Sequence, residues 1–459
     1  MGSDETRAAI RGHLLRGEIP EGEALARDLR DEALARGDHA VASEAARRLG
    51  EFAWERLSTP DATDFIEEAY ELRQRAGEGG LARRYLESCL ANLYWEAGRA
   101  SEAIEMERRA REGLDLEGWV PPPDERLALS ELLRSLSSFE SRRERHAEAA
   151  KASGRGLELL ERAPGAETIE VASACVGYGM CLQRVDDDSS ESLALYERSL
   201  AIRLEHLGPE HVYTGFTLDH LGSLLLARGD HVRARECLAR GKAIIEARLG
   251  LEHPSLSTPL VGLAALDLIG GDGAAARVWV ERAISIEERA LGPTNPRLAS
   301  TLHTLALIHL AGGRLDESLR VWERIVAMLV PIHACHRKTL ADAIHQTLVL
   351  YDRLDRHEDA LGFASDLLDR WDRDPEVAPE LLAQVLNGAS RAHAEAKRYH
   401  KAEKLLRRAI GLAERRYGSH GLELDPLLAN LVELLTATSR RKEADEVQRR
   451  RRNIRTRSN

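Results

Sequence analysis

What most constrains this chain is a recurrence. Leu207-Gly208-Pro209, Leu249-Gly250 and Leu291-Gly292-Pro293 follow one another at a spacing of 42 residues, and Gly229, Gly271 and Gly313 recur at the same spacing. Self-similarity at a period of that size marks a solenoid, in which each unit covers its apolar face only by stacking on its neighbours. The chain has 459 residues. That length would ordinarily divide into several globular domains, but a repeat array adds length without adding a separate core. One continuous solenoid is therefore expected.

Each copy reads as two helices. Leu218, Leu221 and Leu225 in one copy, and Leu302, Leu305 and Ile308 in another, fall at helical spacing, as do Leu319, Trp322 and Val326 in a second helix. Charged residues make up 31% of the chain and aromatics 4%, with only 15 prolines, a mixture that favours helix over sheet. Trp322, Tyr196 and Val280 occupy one equivalent position and are read as core packing. The links carry Leu249-Gly250 with His253-Pro254 and Leu291-Gly292 with Asn295-Pro296. Glycine suits a helix-ending left-handed conformation, and proline suits the first turn of the next helix, where a missing N–H costs nothing. His211, His253 and Asn295 share a phase and are read as caps rather than as chemistry. Asp38, after Gly37, is expected to cap the next helix, as is Ser189 or Ser190 after the acidic loop Asp186-Asp187-Asp188.

The unit resembles a tetratricopeptide repeat, most closely the 42-residue kind found in kinesin light chains and their bacterial relatives. The resemblance implies an all-α, right-handed superhelical α-solenoid of stacked antiparallel helix pairs, about nine to ten in number. It also implies a small residue early in each second helix, where the two helices cross closely. Candidates are Ala69, Ala103, Ala149, Ser192, Ala234, Ala276, Ser318, Ala360, Ala402 and Ala444, with spacings of 34, 46 and 43 and then 42 six times. A second small position follows seven residues on, at Ala76, Ala110, Gly156, Ser199, Gly241, Ala283 and Ala409, while Ile325 and Leu367 depart from it. The expected organisation is a helical cap over residues 1–38, a repeat solenoid over 39–448 and a basic tail over 449–459 that frays beyond the last helix.

Little in the chain points to catalysis. No phosphate-binding Gly-rich loop with Lys-Ser/Thr, no Gly-x-Ser-x-Gly elbow, no His-Glu-x-x-His and no kinase signature occurs. Gly270-Gly271-Asp272-Gly273 falls in the turn of a repeat. His333, Cys335, His336 and His345 are all metal-ligating types, but three of them crowd into four residues, whereas structural zinc sites pair well-spaced ligands. No metal, cofactor or enzymatic activity is expected. The net charge of −11 argues against general nucleic-acid binding despite the arginines from Arg449 onward. Five cysteines without CxxC spacing fit a reducing cytoplasm. The acidic start Met1-Gly2-Ser3-Asp4-Glu5 does not read as a secretory leader, no run is apolar enough to span a membrane, and the match of Met1-Gly2 and Thr6 to an acylation pattern is read as chance.

By the resemblance, the first helices line the concave side, and a protein or peptide ligand binds there. The inward positions are Tyr85, Ser88 and Asn92; Phe216, Asp219 and Ser223; His303; Asp342 and His345; and Gln384, Asn387 and Arg391. The implied function is a non-catalytic scaffold or adaptor that recruits or regulates a bacterial effector such as a protease, a kinase or a signalling ATPase. The alternative is a peptide-sensing regulator of the quorum-sensing-receptor type.

Overall fold

A computed structural model of the chain describes all residues except 1–2, 17, 56–57, 115–120, 124, 163–167, 187–188, 372–373, 375–376 and 459. Asp187 and Asp188 of the acidic loop, and Met1 and Gly2, thus lie outside the described residues. The described residues form twenty-two α-helices and no strand. They fall into two compact units, residues 1–295 and 296–459.

The first unit holds seven pairs: α1 (Ser3–Arg16) with α2 (Ile19–Ala35), α3 (His39–Glu55) with α4 (Thr59–Arg75), α5 (Gly80–Glu96) with α6 (Ala100–Arg111), α7 (Arg126–Arg142) with α8 (His146–Glu161), α9 (Ile169–Val185) with α10 (Ser190–His206), α11 (Val212–Ala227) with α12 (His231–Leu249), and α13 (Ser257–Ile269) with α14 (Gly273–Leu291). The second unit holds four: α15 (Leu298–Ala311) with α16 (Leu315–Leu329), α17 (Arg337–Arg353) with α18 (His357–Trp371), α19 (Pro379–Glu395) with α20 (Tyr399–Tyr417), and α21 (Leu424–Ala437) with α22 (Arg441–Ser458). Each helix packs on its pair-mate, and first helices also pack on the next first helix, as α5 does on α7, α11 on α13 and α17 on α19. No described helix is long and apolar enough to cross a membrane.

The two recurring glycines do what their spacing implies. Gly208, Gly250 and Gly292 end second helices with φ of 84°, 92° and 85°, and Gly229, Gly271 and Gly313 turn the chain within a pair at 78°, 84° and 71°. Caps start the helices that follow. His211 Nδ1 accepts from the Tyr213 amide and His253 Nδ1 from the Ser255 amide, each at 3.2 Å, while Asp38 accepts from Val41 at 3.0 Å and Ser189 from Ser192 at 3.2 Å.

The core is a ribbon carried from pair to pair. One segment joins Val176 and Tyr196 of the fifth pair, Leu221, Leu225 and Leu238 of the sixth, and Leu263 and Leu266 of the seventh. Leu238 sits between two glycines: a Cβ on Gly222 would lie 2.7 Å from its Cγ, and one on Gly262 would lie 2.8 Å from its Cδ1. The crossing positions are sealed. Ala103, Ala149, Ser192, Ala234, Ala276, Ser318 and Ala402 have no exposed surface. Where serine replaces alanine its hydroxyl donates to the facing helix, Ser192 to the Gly179 carbonyl at 3.0 Å and Ser318 to the Ala306 carbonyl at 2.9 Å.

Three sequence expectations are corrected. Eleven pairs form rather than nine to ten, because α1 and α2 make a pair of their own, in which a Cβ on Gly22 would lie 3.1 Å from His13 Cβ. The early small residue of α4 is Ala62, fourth in its helix like Ala234 in α12, and Ala69 is the second small position. The two are seven residues, about two turns, apart, so they share a face and a sequence pattern alone cannot rank them. Finally, the arginine-rich end continues α22 to Ser458 instead of fraying. Ile454 is fully buried in the last cluster, and Arg451 and Arg455 both bond the Asp425 carboxylate, at 3.0 and 2.8 Å.

Candidate ligand groove on the first helices

Because the pairs repeat, one offset finds the same stripe in each. Residues eighteen, fifteen and eleven before the small residue of the second helix share a face of the first helix, as Phe216, Asp219 and Ser223 do before Ala234. All twelve residues predicted from the sequence fit this offset. The stripe also includes positions the sequence reading did not single out. In α7 these are Glu131, Arg134 and Ser138, found by the same offset from Ala149. In α3 they are Glu44, Arg47 and Glu51, which emerge only once Ala62 replaces Ala69 as the anchor. In α9 the stripe shifts by one residue, to Ser173, Val176 and Met180, because the turn to α10 is one residue longer.

The early part of this stripe in the first unit is polar and heavily bonded. Arg47 is buried, bonds Glu44 at 2.9 Å and also pairs with Glu51, and lies 5.2 Å from the centre of the Tyr85 ring. Burial opposes the charge on Glu44, but Arg47, with Arg48 and Arg73, overcomes it and brings the carboxyl down to about 2. Burial, with Cys89 and Glu51 beside it, pushes the Tyr85 phenol well above its ordinary value. Burial and Glu51 push the Cys89 thiol up to about 11, so both groups stay protonated. Ser88 has no exposed surface and donates to the Tyr85 carbonyl at 2.9 Å, which makes it a packing residue. The Asn92 amide donates to the Ser88 and Ser135 carbonyls at 3.0 and 2.9 Å, while its own Oδ1, on a side chain 6% exposed, has no partner among the described residues. Arg134 has surface open to solvent, yet protein crowds round its charged end. That crowding opposes the charge, and Tyr85, Glu131, Cys89 and Glu51 together hold it above the ordinary arginine range.

Later in the first unit the stripe gains larger apolar side chains at Met180 and Phe216. Phe216 is half-buried beside Tyr213, edge to face at 6.0 Å, and Met180 is 39% exposed. Between them Asp219 is 5% exposed, Oδ1 has no partner among the described residues, and burial raises its carboxyl to about 8. Its neighbour His220 stacks on Tyr196 and is lowered to about 4 by burial and by Arg203.

In the second unit the stripe is more exposed. His303 and His345 are exposed, and the His303 ring lies 5.0 Å from that of Trp322. Partial burial lowers both imidazoles, with Arg391 adding to the effect on His345 and exposed Asp342 opposing it on each. Arg391 pairs with Asp352, Asn387 Oδ1 accepts from Asn430 at 2.8 Å, and Gln384 is half-buried. The His-Cys-His link resolves into packing: His333 Nε2 lies 3.0 Å from Asp374 Oδ2 with its ring edge-on to Trp371, and Cys335 is buried. Among the described residues no three metal-ligating side chains converge.

Models of the tetratricopeptide repeat match residues 171–247, 255–329 and 382–421. These stretches of the chain are tetratricopeptide repeats. The chain's regular repeats recur every 42 residues. No curated protein matches the chain. Among solved structures, a putative kinesin light chain of Podosopora anserina with nearly identical repeats is 20% identical over 46% of this chain and 98% of its own, at a TM-score of 0.36. BtubC from P. vanneervenii is 17% identical over 56% and 93%, at 0.38. A Rap protein solved with competence and sporulation factor is 13% identical over 81% and 98%, at 0.50. At that identity the Rap likeness speaks for the fold of the repeat array.

Proposed function

We propose that this tetratricopeptide-repeat protein is a non-catalytic adaptor whose first-helix stripe holds an extended segment of a partner protein. The observation that carries the reading is the set of uncommitted groups on one stripe of the first unit. Asn92 and Asp219 each keep a buried oxygen without a partner among the described residues, and Arg134 on the same stripe keeps surface open to solvent. A buried acceptor left unpaired costs free energy, and a site that is completed by a ligand accounts for that cost. The chemistry is graded along the stripe. Asn92 Oδ1 accepts a backbone N–H, Arg134 donates to a carboxylate or carbonyl, and Met180 and Phe216 offer apolar area. The fitting ligand is a peptide with an acidic end and an apolar end. In the second unit, His303, Asp342, His345, Gln384 and Arg391 offer a surface of the same kind. Recruitment of an effector such as a protease, kinase or signalling ATPase is the form of adaptor function we favour.

A short signalling peptide as the ligand is the second reading, favoured by one observation: the Rap protein whose fold the array shares was solved with a factor bound. A peptide library displayed against the full chain tests both readings. Selection of sequences with an acidic residue several positions from an aromatic or aliphatic one, lost with Asn92→Ala and Arg134→Ala together, is the expected result. Recovery of unrelated sequences, or of the same ones undiminished by both substitutions, overturns the proposal.

A further inference from the structure

Helix α1 is joined to the rest of the first unit on two sides. Its apolar side is ordinary: Ile10 and Leu14 pack in a cluster with Ala26, Leu29, Ala45, Leu49 and Phe52 of α2 and α3. Its other side reaches far along the chain. Arg11 Nη2 donates to Glu170 Oε1 at 2.6 Å, in the first turn of α9. The Tyr213 phenol, in the first turn of α11, donates to the Leu14 carbonyl at 3.2 Å. The first pair therefore touches the fifth and sixth, and the pairs between them form a loop that α1 closes.

We propose that α1 is a releasable clasp that closes the first unit across the mouth of its groove. Three observations converge on this. The bridge is polar, and the Arg11 and Glu170 side chains are 32% and 31% exposed, so water and salt compete for it, unlike the apolar contacts that hold α1 to α2 and α3. Both anchor points lie in first turns of first helices, at one rim of the stripe. Tyr213 also precedes Phe216 by three residues on the same face and touches its ring. The anchor is held from behind: buried Arg203 donates to the Tyr213 carbonyl at 2.7 Å and lies 5.4 Å from the Tyr213 ring. A ligand side chain that displaces Phe216 must move the Tyr213 ring and with it the bond to Leu14. Occupancy of the groove and release of α1 are coupled through that one tyrosine. The coupling rests on the groove reading, while the clasp itself does not.

The test uses the full chain without ligand and follows hydrogen exchange of the α1 amides. Arg11→Glu and Glu170→Arg are each expected to speed exchange by roughly threefold, the double charge swap to restore protection, and added salt to bring the wild type to the level of the single variants. Tyr213→Phe, which removes the donor and keeps the ring, is expected to act like the single reversals. Equal exchange in all variants overturns the clasp, as does a double swap no better protected than the singles. Melting curves matched across the set show that the array itself is intact. A negative result leaves the groove reading standing, and loss of peptide selection leaves the clasp standing, so the two fail separately.

Discussion

At the scale of single residues, the repeat imposes a backbone that the sequence does not always suit. The turn position occupied by Gly229, Gly271 and Gly313 recurs at Asp355, Lys397 and Ser439, and these adopt the same left-handed conformation at φ of 55°, 57° and 63°. A side chain there costs ~1–2 kcal/mol, partly offset by the entropy glycine loses on folding. Lys397→Gly is accordingly expected to stabilise the protein by about 0.5–1 kcal/mol in denaturant titration, and Gly271→Lys to do the reverse. Asp219 sets a second expectation. Burial raises its carboxyl from 3.8 to about 8, so between those values the folded protein holds a proton that the unfolded chain has released. Its contribution to stability is full below about pH 4 and falls as pH rises through about 8. Asp219→Asn removes the ionisation and is expected to be more stable than wild type at pH 8, by on the order of 2 kcal/mol, with the gap closing in acid. Melts across that range check it.

At the scale of elements, the helix pairs were legible in the sequence wherever the punctuation was regular. The glycines, the caps at His211 and His253 and the crossing residues from Ala103 to Ala444 all fall where their spacing places them. The misreading at α4 has a physical cause: Ala62 and Ala69 occupy one face two turns apart, and choosing the later one hid Arg47 and its carboxylates. The end of α22 misled for another reason. A run of arginines reads as solvated, but here Asp425 and Glu414 supply partners, and Ile454 pins this end of the helix to the core. Replacing Ile454 with alanine is expected to cost about 2–4 kcal/mol, where a frayed tail would show no change. Gly222→Ala, driven against Leu238, is expected to cost about 1–3 kcal/mol from overpacking.

At the scale of the whole molecule, seven pairs in one unit and four in the other repeat one rule: second helices carry the crossing residues, and first helices carry a stripe at a fixed offset from them. The stripe's address was readable from the offset, but its chemistry was not. Only the fold shows that Ser88 is sealed, that Asn92 and Asp219 keep unpaired oxygens and that Arg134 stands exposed. Carbene footprinting of the protein alone and with a captured partner tests most directly whether that stripe is where ligands bind. The account predicts reduced labelling at Arg134, Met180 and Phe216 in the first unit or at His303 and His345 in the second, with the outer surfaces of α12, α14 and α18 unchanged. Protection confined to those second helices or to α22 would contradict it.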